Sequence, residues 1–115
     1  SSAASDVYKR QNEICCAPNL LKFSIYKYEK PLFLKGYGTV YPDFTFLSRK
    51  TGEEIYWEHE GMMDKSDYAK TAVKKLESYQ KNGIYLGERL IATFETEQTL
   101  LNSQIIEQLA QKYLL

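Results

Sequence analysis

Two short segments of strict alternation, joined by a polar turn, constrain this chain more than anything else in it. In residues 41–47, Phe44 and Phe46 share one face of an extended strand, while Tyr41, Asp43 and Thr45 share the other. Residues 48–53 are polar and carry Gly52. In Glu54–Glu60, Ile55 and Trp57 then lie on one face, with Tyr56, Glu58 and Glu60 opposite. The pattern predicts a β-hairpin. If it turns symmetrically about Lys50 and Thr51, Thr45 faces Tyr56 and Asp43 faces Glu58. Directly opposed residues hold their Cβ atoms roughly 4.5–5.5 Å apart. Two carboxylates placed so closely repel each other unless a cation or a proton sits between them. A divalent ion such as Mg²⁺ takes one or two carboxylates plus water and phosphate oxygens, and can activate a water for attack on a phosphodiester. The competing reading is a solvated acidic pair at strand ends, and a slip of one residue would move one acid to the other face.

Around the hairpin, residues 13–21 read as a short helix containing Pro18, and residues 25–29 and 32–35 as short strands, with a turn at Gly36-Tyr37-Gly38. Residues 64–81 form the strongest helical pattern. Asp64 or Ser66 can cap it, Asn82-Gly83 stops it, and Tyr68, Ala69, Ala72, Val73, Leu76 and Tyr79 make its apolar face. Residues 89–95 suit a buried strand. Residues 102–113 suit a closing amphipathic helix with Ile105, Ile106, Leu109 and Tyr113 inward. The order is helix, several strands, helix, strand, helix, an α/β arrangement without internal repeats.

At 115 residues the chain has room for one core. Its 43% hydrophobic and 26% charged content is that of a soluble globular domain. No apolar run is long enough to span a bilayer and no signal peptide opens the chain, so no membrane partner and a cytoplasmic setting are expected. Adjacent Cys15 and Cys16 would form a strained disulfide, which also favours a reducing compartment. One histidine and no spaced cysteine pair argue against structural zinc. Fifteen basic and fifteen acidic residues cancel, so nucleic acid would have to be attracted by a local patch. Residues 1–11, SSAASDVYKRQ, lack periodicity and read as the translated end of a sequencing adaptor; an ordinary disordered N-terminus is the alternative. On the first reading the domain comprises residues 12–115, is truncated at its N-terminus, and lacks an upstream region of the same chain. Without residues 1–11 there remain 13 basic and 14 acidic residues, still close to neutral.

Tyr41-Pro42-Asp43-Phe44, a hairpin turn, then Tyr56-Trp57-Glu58-His59 resembles the PD-(D/E)XK nuclease superfamily, the restriction-endonuclease-like fold. The element order is similar to that superfamily's αβββαβ core, here with a C-terminal helix, and the resemblance covers residues 13–95. Tyr79 and Asn82-Gly83-Ile84 are similar to a group of uncharacterised bacterial and phage-type proteins that carry this domain behind a longer N-terminal region. The resemblance implies a metal-dependent nuclease acting on DNA, with Mg²⁺ (Mn²⁺ substituting) held by Asp43, Glu58 and the His59 backbone carbonyl. It also implies that Glu13 matches the acid many members place on the first helix. A first-turn glutamate favoured by the helix dipole is the alternative for Glu13. Members often dimerise, so a homodimer is a further expectation.

One position departs from the pattern. Glu60 stands where the superfamily has a lysine. In some members that lysine has moved to the following helix, which makes Lys75 the candidate. At roughly 100° per residue Lys75 lies about 20° from Tyr68 and about 40° from Tyr79, at the edge of the apolar face. Its stem can run along apolar surface with the ammonium at the site, or simply snorkel to water. By alternation His59 points inward with Ile55 and Trp57, either as a hydrogen-bonded core residue or as a general base. Lys65, Lys70, Lys74 and Arg49 either grip phosphates or form a solvated face. Two functions are thus expected of the chain: a catalytic Asp43–Glu58–Lys75 phosphodiesterase, or a catalytically inactive descendant that binds nucleic acid or a protein partner. A structural domain with an incidental acidic pair is a third.

Overall fold

The structure, a computed structural model, describes residues 26–48 and 50–113. The expected helix over residues 13–21, with Glu13, Cys15 and Cys16, lies outside them, as does Arg49. The described elements run β1 (Tyr26–Tyr28), β2 (Leu32–Leu34), β3 (Gly38–Val40), β4 (Phe44–Leu47), β5 (Glu54–Glu60), α1 (Ser66–Lys81), β6 (Leu90–Phe94) and α2 (Ser103–Tyr113). The fold is mixed α/β. One sheet has the order β1-β4-β5-β6, and β2 and β3 form a separate antiparallel pair. β1 and β4 run antiparallel, as do β4 and β5, whereas β5 and β6 are parallel and joined through α1. A parallel pair needs such a crossover because no tight turn can return the chain in the same direction.

β4 starts at Phe44 rather than Tyr41. Pro42 has no N–H to give a ladder, and Asp43 sits in a bend whose carbonyl accepts the Glu29 N–H at 3.3 Å. β3 was not foreseen from sequence. Gly38, read as the end of a turn, is instead the first residue of β3, paired with Leu34 and held at φ +125°, where a side chain would be strained. The hairpin between β4 and β5 closes as expected. Ser48 Oγ accepts the amides of Lys50 and Thr51, Gly52 N–H donates to Ser48 O, and Gly52 takes φ +73°.

β5 is the axis of the molecule, buried on both faces from Ile55 to Glu60. On one face, Ile55 and Trp57 join Phe44, Phe46, Ile91, Leu101, Ile106 and Ala110, so α2 packs here. On the other, Tyr56 meets Leu34, Val40, Tyr79, Ile84 and Leu90, which brings α1 and the β2–β3 pair onto the same surface. Each large apolar side chain buried this way contributes about 1.5–3 kcal/mol. Two expected core positions are corrected: Val73 is 58% exposed and Ile105 42% exposed. Each neighbours a buried residue, Ala72 and Ile106, and the roughly 100° step between successive side chains turns it outward. The expected cap is corrected too. Lys65 is the N-cap of α1 and makes no side-chain cap bond; Asp67 supplies the first-turn acid.

The end of α1 is tied to the β2–β3 turn. Asn82 Oδ1 accepts Lys35 N–H at 2.9 Å, and Asn82 Nδ2 donates to Lys35 O at 3.1 Å. The side-chain amide thus substitutes for a strand partner. Asn82→Ala is expected to lower unfolding free energy by about 3 kcal/mol, from the two bonds to Lys35 and the one from Nδ2 to Ser78 O. A urea titration measures this, and an unchanged midpoint would remove the clamp's assigned role.

Candidate active site

The register of β4 on β5 is Phe44 against Trp57, Thr45 against Tyr56, Phe46 against Ile55 and Leu47 against Glu54. Thr45 opposite Tyr56 is the pairing expected from the turn, and one step further puts Asp43 opposite Glu58. The two strands are also joined at that step by a side chain: His59 N–H donates to Asp43 Oδ2 at 2.6 Å. Asp43 thereby continues the ladder that Pro42 breaks.

Neither acid is a solvated strand-end residue. Asp43 is 7% exposed, Glu58 2% and Glu60 3%, because α1 lies over this face of the sheet. The helix brings its own polar groups. Lys75 Nζ sits 3.0 Å from Glu58 Oε2 and 2.8 Å from Glu60 Oε1. These are close, buried ion pairs. Tyr68 Oη accepts the Gly61 N–H at 3.1 Å, and its hydroxyl pKa is pushed up to about 12, by burial first and then by Glu60. Tyr79 is fully buried beside Glu58, and burial followed by that carboxylate pushes its hydroxyl pKa up as well.

Two carboxylates thus share one ammonium, and Asp43 lies near them, held by the His59 amide. Burial lifts Asp43 to about 6, partly offset by the His59 N–H and by the charge of Lys75. Burial likewise lifts Glu58 to about 7; Lys75 pulls it down, while Asp43 and Glu60 push it further up. For Lys75, burial is the largest single influence and acts to lower its pKa, but Glu58 and Glu60 together outweigh it and hold it above the ordinary lysine value. Lys75 is therefore a fixed cation rather than a proton acceptor. The remaining negative charge favours an added proton or an added cation.

The His59 side chain lies elsewhere. Its Nδ1 is 2.8 Å from Thr93 Oγ1 and its Nε2 3.2 Å from Glu95 Oε1. Trp57 Nε1–H donates to the same Thr93 hydroxyl at 3.2 Å, and Glu95 Oε2 accepts Leu101 N–H at 2.9 Å. By strand alternation this network occupies the face opposite Glu58 and Glu60. The imidazole is a hydrogen-bonded core group, and the part of His59 nearest Asp43 is its backbone.

Sequence reasoning brought Asp43, Glu58 and Lys75 together, as does the structure. It missed Thr93 and Glu95, whose signal was the polar residues within and closing the apolar run of β6. It placed Tyr68 and Tyr79 on the apolar face and gave neither hydroxyl a part in the site. Of the basic residues, Lys65 pairs with Glu97 at 3.5 Å, and Lys70 and Lys74 are exposed on α1. Among the described residues there is no group of three or more His, Cys, Asp or Glu arranged to hold a metal ion, and no helix long and apolar enough to cross a membrane. Comparison with protein-family models, curated proteins and solved structures finds no match to the chain.

The raised acids make stability depend on pH. Asp43 and Glu58 hold their protons more tightly folded, near 6 and 7, than at their ordinary values of 3.8 and 4.5. Their contribution is complete below about pH 4 and is lost as pH rises through 6 and 7, by a few kcal/mol in total. The metal-free protein should therefore lose stability between pH 5 and pH 8. Glu58→Gln should lose less over the same range. Parallel pH curves for the two proteins in urea unfolding would contradict the assignment.

Proposed function

We propose that this chain is a metal-dependent phosphodiesterase acting on DNA, built on a restriction-endonuclease-like core. One observation carries the reading: two buried carboxylates opposed across a hairpin, with a permanently charged lysine in contact with one of them. A purely structural core has little reason to bury three acids against one base. Leaving a buried charge without compensation costs several kcal/mol.

The donor set suits Mg²⁺ or Mn²⁺. Both favour oxygen, and Mg²⁺ commonly takes only one or two carboxylates while keeping several waters. Asp43 and Glu58 would hold the ion, with the His59 carbonyl as a third oxygen; two carboxylates are compatible with the lack of a three-residue cluster. When bound, the ion supplies Lewis-acid stabilisation of phosphoryl oxygens and a water of lowered pKa. The chain does the rest. Asp43 is oriented through one carboxylate oxygen by the His59 amide, so its direction is fixed before any ligand arrives. Glu58 must lose its proton to take a cation, so binding should release protons near neutral pH. Lys75 offsets the negative charge that grows on a phosphoryl group, in the manner of a preorganised electrostatic stabiliser. Its high pKa leaves proton abstraction to another group.

With Mg²⁺ or Mn²⁺ the protein should nick supercoiled plasmid DNA, and Asp43→Ala should abolish nicking. Lys75→Ala should lower the rate about 100-fold or more while leaving Mn²⁺ binding by calorimetry in place. Full nicking by Asp43→Ala would dismiss the catalytic assignment. DNA retention without nicking or Mn²⁺ binding would favour the non-catalytic descendant.

A further inference from the structure

The residue at the end of β5 carries a role of its own. Glu60 is 3% exposed, which is a costly place for a carboxylate. It points to the same face as Glu58, two residues back along the strand, about 7 Å away at the Cα atoms. Lys75 Nζ bridges the two carboxylates, 3.0 Å from one and 2.8 Å from the other. The ammonium is therefore anchored from the helix at the point where the side chain of residue 60 ends. A lysine on the strand at position 60 would deliver its ammonium to the same neighbourhood.

We propose that Glu60 is a positioning residue that fixes the Lys75 ammonium beside Glu58, so that the Glu60–Lys75 couple does the work of a single strand-borne lysine. This rests on the phosphodiesterase reading for its purpose, but not for its geometry. A lysine side chain has many rotamers, so an ammonium held by Glu58 alone would swing on a four-carbon stem. A second carboxylate two residues along the same rigid strand removes that freedom. Tyr68 packs beside the pair, with its hydroxyl against both Gly61 N–H and Glu60, and so closes the end of the strand over it. Glu60 needs no contact with substrate; it acts through Lys75.

The test is a charge exchange, with Glu60→Gln as the conservative variant, each checked for folding by circular dichroism. Glu60→Gln should lower kcat for Mn²⁺-dependent oligonucleotide cleavage about tenfold and leave KM unchanged. Lys75→Glu should be inactive, and Glu60→Lys combined with Lys75→Glu should recover at least tenfold over Lys75→Glu alone. Independently of activity, ¹⁵N side-chain NMR should show a slowly exchanging Lys75 ammonium in the wild type and loss of that signal in Glu60→Gln. An unchanged ammonium signal in Glu60→Gln overturns the proposal, and so does a double variant as inactive as Lys75→Glu in an active wild-type background. A wild-type protein that holds its ammonium but cleaves nothing retains the couple and removes the phosphodiesterase reading instead.

Discussion

The structure is organised by the sealing of an acidic strand face beneath a helix. Glu58 and Glu60 project from a strand with no solvent-facing side, and α1 covers them with Tyr79 beside Glu58. Such a face is tolerable only if the helix also brings a cation to it, and Lys75 is that cation. Everything that aims α1 therefore bears on the site. Leu76 and Tyr79 seat the helix on Tyr56 and Leu90, and Asn82 fastens its end to the β2–β3 turn. The parallel partner strand follows from the same crossover, so topology and electrostatics are settled by one element.

Most of this was legible in the sequence where a period was clean. The β5 boundaries, the hairpin turn and the pairing of Thr45 with Tyr56 follow from alternation and one glycine. Lys75 could be placed because a helical wheel converts spacing into direction without tertiary information. What failed was local chemistry that only three dimensions supply. Val73 looks like core on a wheel, but it is exposed while its neighbour Ala72 is buried. A cap was expected from Asp64 or Ser66, yet the N-cap residue is Lys65, which offers no side-chain acceptor. The β3 strand is three residues of Gly-Thr-Val, too short for a period to register.

The acidic pair shows the same limit from the other side. Alternation put Asp43 and Glu58 on one face but could not say whether water lay over it. Burial decides their chemistry, since desolvation is the leading cause of both raised pKa values. Sequence gave positions, and the helix above gave those positions their proton affinity.

The network around His59 has a consequence for how substitutions would be felt. One peptide unit of β5 is gripped from two sides: its amide by Asp43, and its imidazole by Thr93 and Glu95, the latter reaching on to the Leu101 amide before α2. The sheet is one residue thick at that point, so a disturbance in the apolar layer beneath arrives at the acidic face without crossing any intervening packing. In a deep mutational survey, positions 93 and 95 would score with the acidic cluster rather than with the core they belong to by burial. Their tolerance to change would be set by alignment of the strand above them, and hardly at all by hydrophobicity.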